Sequence, residues 1–565
     1  MNRMVTGSRH RTYLATSASV LLCIASTALQ AQVLESVPPI DTTSGAVTGT
    51  VLEGGVKAWL GVPFAKPPLY DLRWQPPQAI HWNGVYNADR KMPECMQVLR
   101  PHDINNYFGE EASSENCLYL NIWAPPGSKP ADKRPVVVFI YGGGSTIGSA
   151  GSPMYDGADL AKKGVVYVTI AYRLGILGWM AHPELTKEQG GHSGNYGYLD
   201  QSFALRWVHD NIARFGGDAD RVTIAGQSAG AGSVSAQMHS PLSKGLFSGA
   251  FMSSTCSIGT GTLPSLADGE KVGLEIQKRL GANSLEDLRY IAADQLIRLQ
   301  AETQVGYSNT GGVKATPVLD GYFFTRQKPE AASTHAMSDV PVLANFNSGE
   351  SAGLFYAAHT VEQYRNLART YYGDKADAFL KLYPVRSDAE VAPTAARIAR
   401  EAAIAYNSRQ CGVIQAKYNR SPVYISMYDR KHPYAPGAHV GDQDPATIGA
   451  YHNADIIYWF DNLDVFNAIR HTRDWTATDR ALAGTMSDAL VAFAANRDPS
   501  TPALGWPAWS AKSDGFMRFS SKGQFEPFNT KAMEWLAANK PEAAALPSGG
   551  GMGAPGMISG KGPRD

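Results

Sequence analysis

The chain has 565 residues, with 51 Lys+Arg balanced by 51 Asp+Glu. A hydrophobic content of 44% with 18% charged residues is enough to bury a large core, which excludes a fully disordered chain. The neutral balance argues against a nucleic-acid binder, which needs surplus basic charge to displace counterions from phosphates.

Arg3, Arg9 and Arg11 open the chain on a basic segment, and an apolar stretch follows from Ala15 to Ala28. Small residues then lead to Ala31 and Gln32, the pattern of a secretory signal peptide over residues 1–31 cut near Ala31 or Ala28. The stretch is short for a membrane anchor. Leu22 stands before Cys23 where a lipoprotein signal needs a small residue, and no Arg-Arg pair marks twin-arginine export. The reading predicts a secreted or periplasmic protein, and no internal run reaches the roughly 18 apolar residues of a membrane span. After cleavage Cys95, Cys117, Cys256 and Cys411 remain, and an oxidising compartment permits them to pair. Cys95 and Cys117 lie 22 residues apart. Bridging such a loop contributes roughly 3 kcal/mol by loop-closure entropy. The sequence leaves open whether Cys256 and Cys411 pair or stay free.

Pro135–Tyr141 (PVVVFIY) and Val165–Tyr172 (VVYVTIAY) read as strands buried on both faces, being continuous and β-branched. Leu199–Phe215 has helical spacing that puts Leu205, Val208 and Ile212 on one face. Arg221–Ala225 is a short strand running into a segment rich in Gly, Ala and Ser. Gly249–Ser253, Val340–Asn347 and Val423–Tyr428 are further strands, and Asp479–Asn496 is a long helix. Strands alternating with helices predict an α/β fold with a mostly parallel sheet covered on both faces. Residues 32–546 are read as one domain. The stretch 547–565, rich in Gly and Pro, is expected to be a disordered tail.

The chemistry starts at Gly226-Gln227-Ser228-Ala229-Gly230. A lone GxSxG is a weak signal, but here a strand precedes it and a helix of small residues, Ala229–Met238, follows. A serine at so sharp a turn is strained, and only small neighbours let the backbone make it. The turn exposes Oγ and aims a helix N-terminus at it, which favours negative charge on a reacting oxygen.

With these residues in view, the chain resembles the type-B carboxylesterase/lipase family, the cholinesterase-like branch of the α/β-hydrolases. The resemblance runs from about Ser44 to Trp509 and rests on Gly61–Pro77, SENCLYLNIW, FIYGGG, AYRLGILGW and, most densely, Gly194–Gly230. It implies an α/β-hydrolase fold and a serine carboxylesterase of the bacterial secreted type, with no metal or cofactor. It also implies that the backbone N–H groups of Gly143, Gly144 and Ala229 form the oxyanion hole. Many relatives have His where this chain has Tyr141, a position that is not itself a donor.

A serine nucleophile needs a base, and the base an orienting carboxylate, in this fold in the order Ser, acid, His. Spacing does not choose among His359, His432, His439, His452 and His471. The resemblance does: Gly449–Leu463 is similar to the family's histidine segment and selects His452, while Val340–Ser351 selects Glu350. The family usually has acid-Glu-Gly at that turn, where this chain has Gly349-Glu350-Ser351. Relatives commonly carry Glu beside the nucleophile, and Gln227 here removes one negative charge. That marks Gln227 as a selectivity residue, turning preference from choline-type esters toward neutral or anionic small-molecule esters. Cys95 and Cys117 match the family's first disulfide loop, which borders the active-site gorge. Tyr107, Phe108, Phe355, Tyr356 and Trp459 are candidates to line it, although most aromatics are core. The alternatives are a specialised esterase for a xenobiotic, aromatic or mycotoxin ester, a lipase, which would need an apolar lid, and a non-catalytic cholinesterase-like binding protein, whose members typically lose the nucleophile.

Overall fold

The computed structural model describes residues 35–98, 104–105, 112–300, 303–305, 308–310 and 312–541. The predicted signal segment, the predicted tail, Tyr107 and Phe108 lie outside them. The strands that build the central sheet are β1 (Ser36–Asp41), β2 (Ala46–Val51), β3 (Lys57–Pro63), β4 (Tyr119–Ala124), β5 (Arg134–Ile140) and β6 (Val166–Ile170). They continue with β7 (Gly217–Gln227), β8 (Gly249–Ser253), β9 (Val342–Asn347), β10 (Val423–Tyr428), β11 (Gly515–Phe519) and β12 (Gly523–Pro527). The order across the sheet is β1-β2-β3-β4-β6-β5-β7-β8-β9-β10-β11-β12, with a short strand, Val85–Asn87, beside β2.

From β6 to β11 every pairing is parallel. Parallel strands need crossovers that cover both faces, which is why Val136 to Ile140 can be an unbroken apolar run with no exposed surface. The pairings from β1 to β6 through β4, and the closing β11–β12 hairpin, are antiparallel, while the short strand Val85–Asn87 pairs with β2 in parallel. β1 carries Pro38 and Pro39, which suits an edge that need not donate on both sides.

The chief helices are α1 (Tyr196–Asn211), α2 (Ala229–His239), α3 (Val391–Ala402), α4 (Ile404–Tyr418) and α5 (Ala477–Asn496). Leu205, Val208 and Ile212 are buried as their spacing predicts. The predicted helix 199–215 begins earlier, at Tyr196, and its last turn tightens to a 3-10 turn over Ile212–Phe215, where Gly216 at φ +89° ends it. α5 starts in a reciprocal cap, Thr476 accepting from the Asp479 backbone while the Asp479 carboxylate accepts from Thr476.

Both cysteine pairs are bridged: Cys95–Cys117 with Cα atoms 5.0 Å apart, and Cys256–Cys411 at 6.2 Å. The second closes the question the sequence left open. Among the described residues no helix is long and apolar enough to cross a membrane.

The topology places the site. β5 lies between β6 and β7, so the chain runs in opposite directions along the sheet from β5, which makes the carboxyl ends of β5 and β7 the switch point where such sheets place their sites. The Gly142–Gly144 loop leaves the end of β5 and Ser228 the end of β7, its direct neighbour.

Candidate active site

Ser228 has φ 57° and ψ −125°, a strained conformation for a residue with a Cβ, and it immediately precedes α2. Its backbone N–H donates to Ser253 O at 2.8 Å, which ties the turn to the end of β8. The turn closes only because its neighbours are small: a Cβ on Gly230 would lie 2.0 Å from Ile140 O.

The glycine loop after β5 presses on the same spot. A Cβ on Gly142 would meet Gln227 O at 2.5 Å and Ser228 Cβ at 3.0 Å, so only glycine lets this backbone reach the serine. Gly143 and Gly144, the predicted donors, follow at φ +98° and +61°. The loop is anchored from below: Tyr141 and Tyr172 stack at 4.6 Å and each hydroxyl donates to the other's carbonyl. From the far side Trp179 Nε1 and Gly175 N both donate to Ser145 O. Ala229, the third predicted donor, is the first residue of α2, where backbone N–H groups have no intrahelical partner.

Glu350 stands just beyond β9. Its side chain is 4% exposed, Oε1 accepts the Asn347 N–H at 2.7 Å, and Oε2 is 2.6 Å from His452 Nδ1. Gly349 N donates to Ala450 O at 3.0 Å, so the acid loop and the histidine loop are joined through backbone as well. With Gly349-Glu350-Ser351 at this turn the carboxylate lies within hydrogen-bond distance of His452. Burial alone would lower the His452 pKa, but the hydrogen bond and charge of Glu350, with Asp455 behind it, leave it raised.

With Nδ1–H given to Glu350, the other imidazole nitrogen carries a lone pair. In this resting arrangement that lone pair faces Gln227, whose Nε2 lies 3.2 Å from His452 Nε2. Gln227 is only 2% exposed. The residue beside the predicted nucleophile thus lies against His452 Nε2.

Behind the histidine lies a buried polar network absent from the sequence reading. Asp455 accepts from Ser253 Oγ at 2.5 Å, from Asn345 Nδ2 at 2.9 Å and from Asn347 Nδ2 at 2.9 Å. Asn347 Nδ2 also donates to Tyr451 O at 2.7 Å. Burial pushes the Asp455 carboxyl up to about 6 despite these donors. The network spans the ends of β8 and β9 and the His452 segment, so three separate stretches of chain share one anchor. The signal for it was available: Asn345 and Asn347 are amides inside a fully buried strand, where polar groups persist only with partners.

Two of the aromatic candidates are core residues. Phe355 is 1% exposed and packs on Tyr364 and Phe379, and Trp459 is fully buried against Phe251 and Phe519. Their ring area is what the core needed, and neither is free to face a substrate. Tyr356 is half-buried, its hydroxyl donating to Ser351 O beside the acid.

The carboxylesterase family profile matches residues 36–537. The chain is 37% identical over 494 residues to a fumonisin B1 esterase of Sphingopyxis macrogoltabida, covering 85% of this chain and 86% of that protein. It is 32% identical over 481 residues to the para-nitrobenzyl esterase of Bacillus subtilis (strain 168), covering 83% and 92%. A solved PNB esterase structure superposes with a TM-score of 0.69 at 28% identity, covering 89% of this chain and 99% of that one. This chain therefore belongs to the carboxylesterase family and is a serine carboxylic ester hydrolase on an α/β-hydrolase fold.

Proposed function

We propose that the protein hydrolyses small-molecule carboxylic esters through an acyl-enzyme, with Ser228 as nucleophile, His452 as general base and Glu350 as the acid that orients it. The observation that carries this reading is the 2.6 Å bond from His452 Nδ1 to Glu350 Oε2, with the opposite nitrogen turned to the residue next to Ser228. Neutral His452 takes the Ser228 proton as Oγ attacks the carbonyl carbon. Substrate entry exchanges the Gln227 amide for the serine hydroxyl at Nε2, since such contacts tighten only when substrate is bound. The N–H groups of Gly143, Gly144 and Ala229 receive the oxyanion; losing one such donor typically costs about 10²–10³ in rate. Protonated His452 then gives its proton to the leaving alcohol, and water repeats the cycle on the acyl-enzyme. No step calls on a metal or cofactor. Ser228→Ala removes turnover of p-nitrophenyl acetate while thermal unfolding stays unchanged; hydrolysis retained in that variant overturns the assignment.

The preferred substrates are neutral or anionic esters. Gln227 presents an amide where a carboxylate would repel anions and attract cations. If Gln227→Glu leaves the ratio of anionic to neutral ester turnover unchanged, the selectivity role is lost. The fumonisin B1 esterase relative favours a narrower reading, a specialised esterase for a mycotoxin or similar xenobiotic ester. A panel varying acyl length, alcohol size and charge, with fumonisin B1 included, separates the two.

The catalytic domain spans 32–546 and acts in the periplasm or outside the cell after cleavage near Ala31. Two disulfides in one chain support an oxidising compartment. Fractionation of the expressing cell, with N-terminal sequencing of the mature protein, tests this.

A further inference from the structure

A second cavity, of about 290 Å³, lies over one face of the sheet at β9, β10, β11 and β12, roofed by α3, and none of its lining residues belongs to the Ser228 site. Its size is close to that of ordinary small-molecule sites. Its polar lining is Asn529 and six charged side chains: Arg397, Arg400 and Glu401 on the helix side, Asp429, Arg518 and Glu526 on the sheet side.

The two sides differ in how their charge is met. On the sheet side one guanidinium serves two carboxylates, Arg518 pairing with both Asp429 and Glu526. On the helix side two guanidinium groups face one carboxylate. Glu401 already accepts from Tyr383 Oη at 2.6 Å and Asn529 Nδ2 at 3.1 Å. Arg397 Nε is buried with no hydrogen-bond partner, its guanidinium lying 5.2 Å over the Tyr383 ring. Arg400 donates to Ser348 O at 3.5 Å and feels the charges of Glu401 and Asp429, yet burial holds its pKa below the usual range. A buried guanidinium N–H without an acceptor is costly, and a carboxylate is the acceptor whose geometry fits the fork.

Between these sides the wall is apolar, with Phe346, Met427, Phe516 and Met533. We infer that this cavity is a binding site for a small monocarboxylic acid, its head on Arg397 and Arg400 and its hydrocarbon body against Phe516 and Met533. The apolar wall selects against an inorganic anion. Three carboxylates, Glu401, Asp429 and Glu526, already balance the three guanidinium groups of the lining, so a second acid group on the ligand is disfavoured. Arg397 also lines an outer depression of about 420 Å³ with Arg386, Glu390 and Thr394. Acids of this class are what ester hydrolysis releases, and that link to turnover, unlike the site itself, rests on the proposed function.

The test is calorimetric titration of the full-length protein with sodium hexanoate at pH 7, with hexanol and sodium phosphate at matched ionic strength as comparisons. The expected result is hexanoate binding at a Kd of about 1 mM or tighter, with hexanol and phosphate at least tenfold weaker. Arg397→Met weakens hexanoate at least tenfold, and Arg397→Lys, which keeps the charge but loses the fork, weakens it several-fold. Binding equal for hexanoate and phosphate, or unaffected by either Arg397 variant, overturns the site. Neither substitution touches Ser228, so loss of the triad assignment and loss of this pocket read out separately.

Discussion

Replacing Gln227 with Glu puts a carboxylate oxygen where an amide nitrogen now lies 3.2 Å from His452 Nε2. At that separation a full charge pair is worth about 5 kcal/mol at an effective dielectric of 20 and about 1 kcal/mol in bulk water. The imidazole side chain is 42% exposed toward the cleft, so the interaction lies in the lower half of that span. A shift of the His452 pKa by about 1–2 units upward follows, since one unit corresponds to about 1.4 kcal/mol. The sign is fixed by which form the chemistry needs. A general base acts as neutral imidazole, and a neighbouring carboxylate stabilises imidazolium, so more hydroxide is needed to free the base. The acid limb of kcat/KM against pH, measured with an uncharged p-nitrophenyl ester, moves to higher pH by that amount. The wild-type limb is expected on the high side of an ordinary histidine, because Glu350 already raises the pKa against the effect of burial. An unmoved limb in Gln227→Glu, with the variant folded, refutes either the adjacency of residue 227 to the base or the role of His452 as that base.

Glu350→Gln keeps the shape of the acid but removes its charge, so imidazolium loses its partner and kcat falls by about 10²–10⁴; a fall of less than tenfold in a stopped assay argues against the triad. Asp455→Asn tests the buried network. Its carboxyl titrates near 6 when folded against 3.8 as a free side chain, so the folded state holds the proton more tightly. The associated stability is present below pH 4 and is lost as pH rises through 6, to a total of about 3 kcal/mol. Denaturant midpoints of Asp455→Asn should lose that slope between pH 4 and 6 relative to wild type, and parallel curves would count against it. Cys256 and Cys411 are 155 residues apart in sequence, so opening their bridge frees a loop whose closure is worth about 5 kcal/mol. The double Ala variant should inactivate far faster at elevated temperature, and an unchanged half-life would show the bridge to be idle.

What the sequence made legible follows from where the physics is local. β5, β8 and β10 declare themselves as short apolar runs because parallel strands are buried on both sides. The turn at Ser228 declares itself because a strained backbone tolerates so few residue types. The antiparallel flank did not show: β2 and β3 are short and interrupted by Gly49 and Gly61, and their pairing is decided by neighbours far along the chain. The site divides the same way. Which glutamate and which histidine belong together was carried by resemblance, because 102 residues separate Glu350 from His452 and nothing local records their 2.6 Å contact.

The contact between Gln227 and His452 lies furthest from what sequence could give. A side-chain amide beside the nucleophile can turn to solvent, to the oxyanion loop or to the base, and all three are compatible with GQSAG. Packing decides among them. The glycine loop crowds Gln227 from one side, since a Cβ on Gly142 would lie 3.0 Å from its Oε1. The histidine loop, pinned by Asp455, brings the imidazole up on the other. An amide caught between the two meets the imidazole at 3.2 Å and, unlike a carboxylate, adds no negative charge there that would favour imidazolium. The family's more common glutamate would instead favour the protonated ring. The departure at position 227 therefore changes the resting state of the base as well as the charge that a substrate meets, and the pH profile and the ester-charge panel separate those two effects.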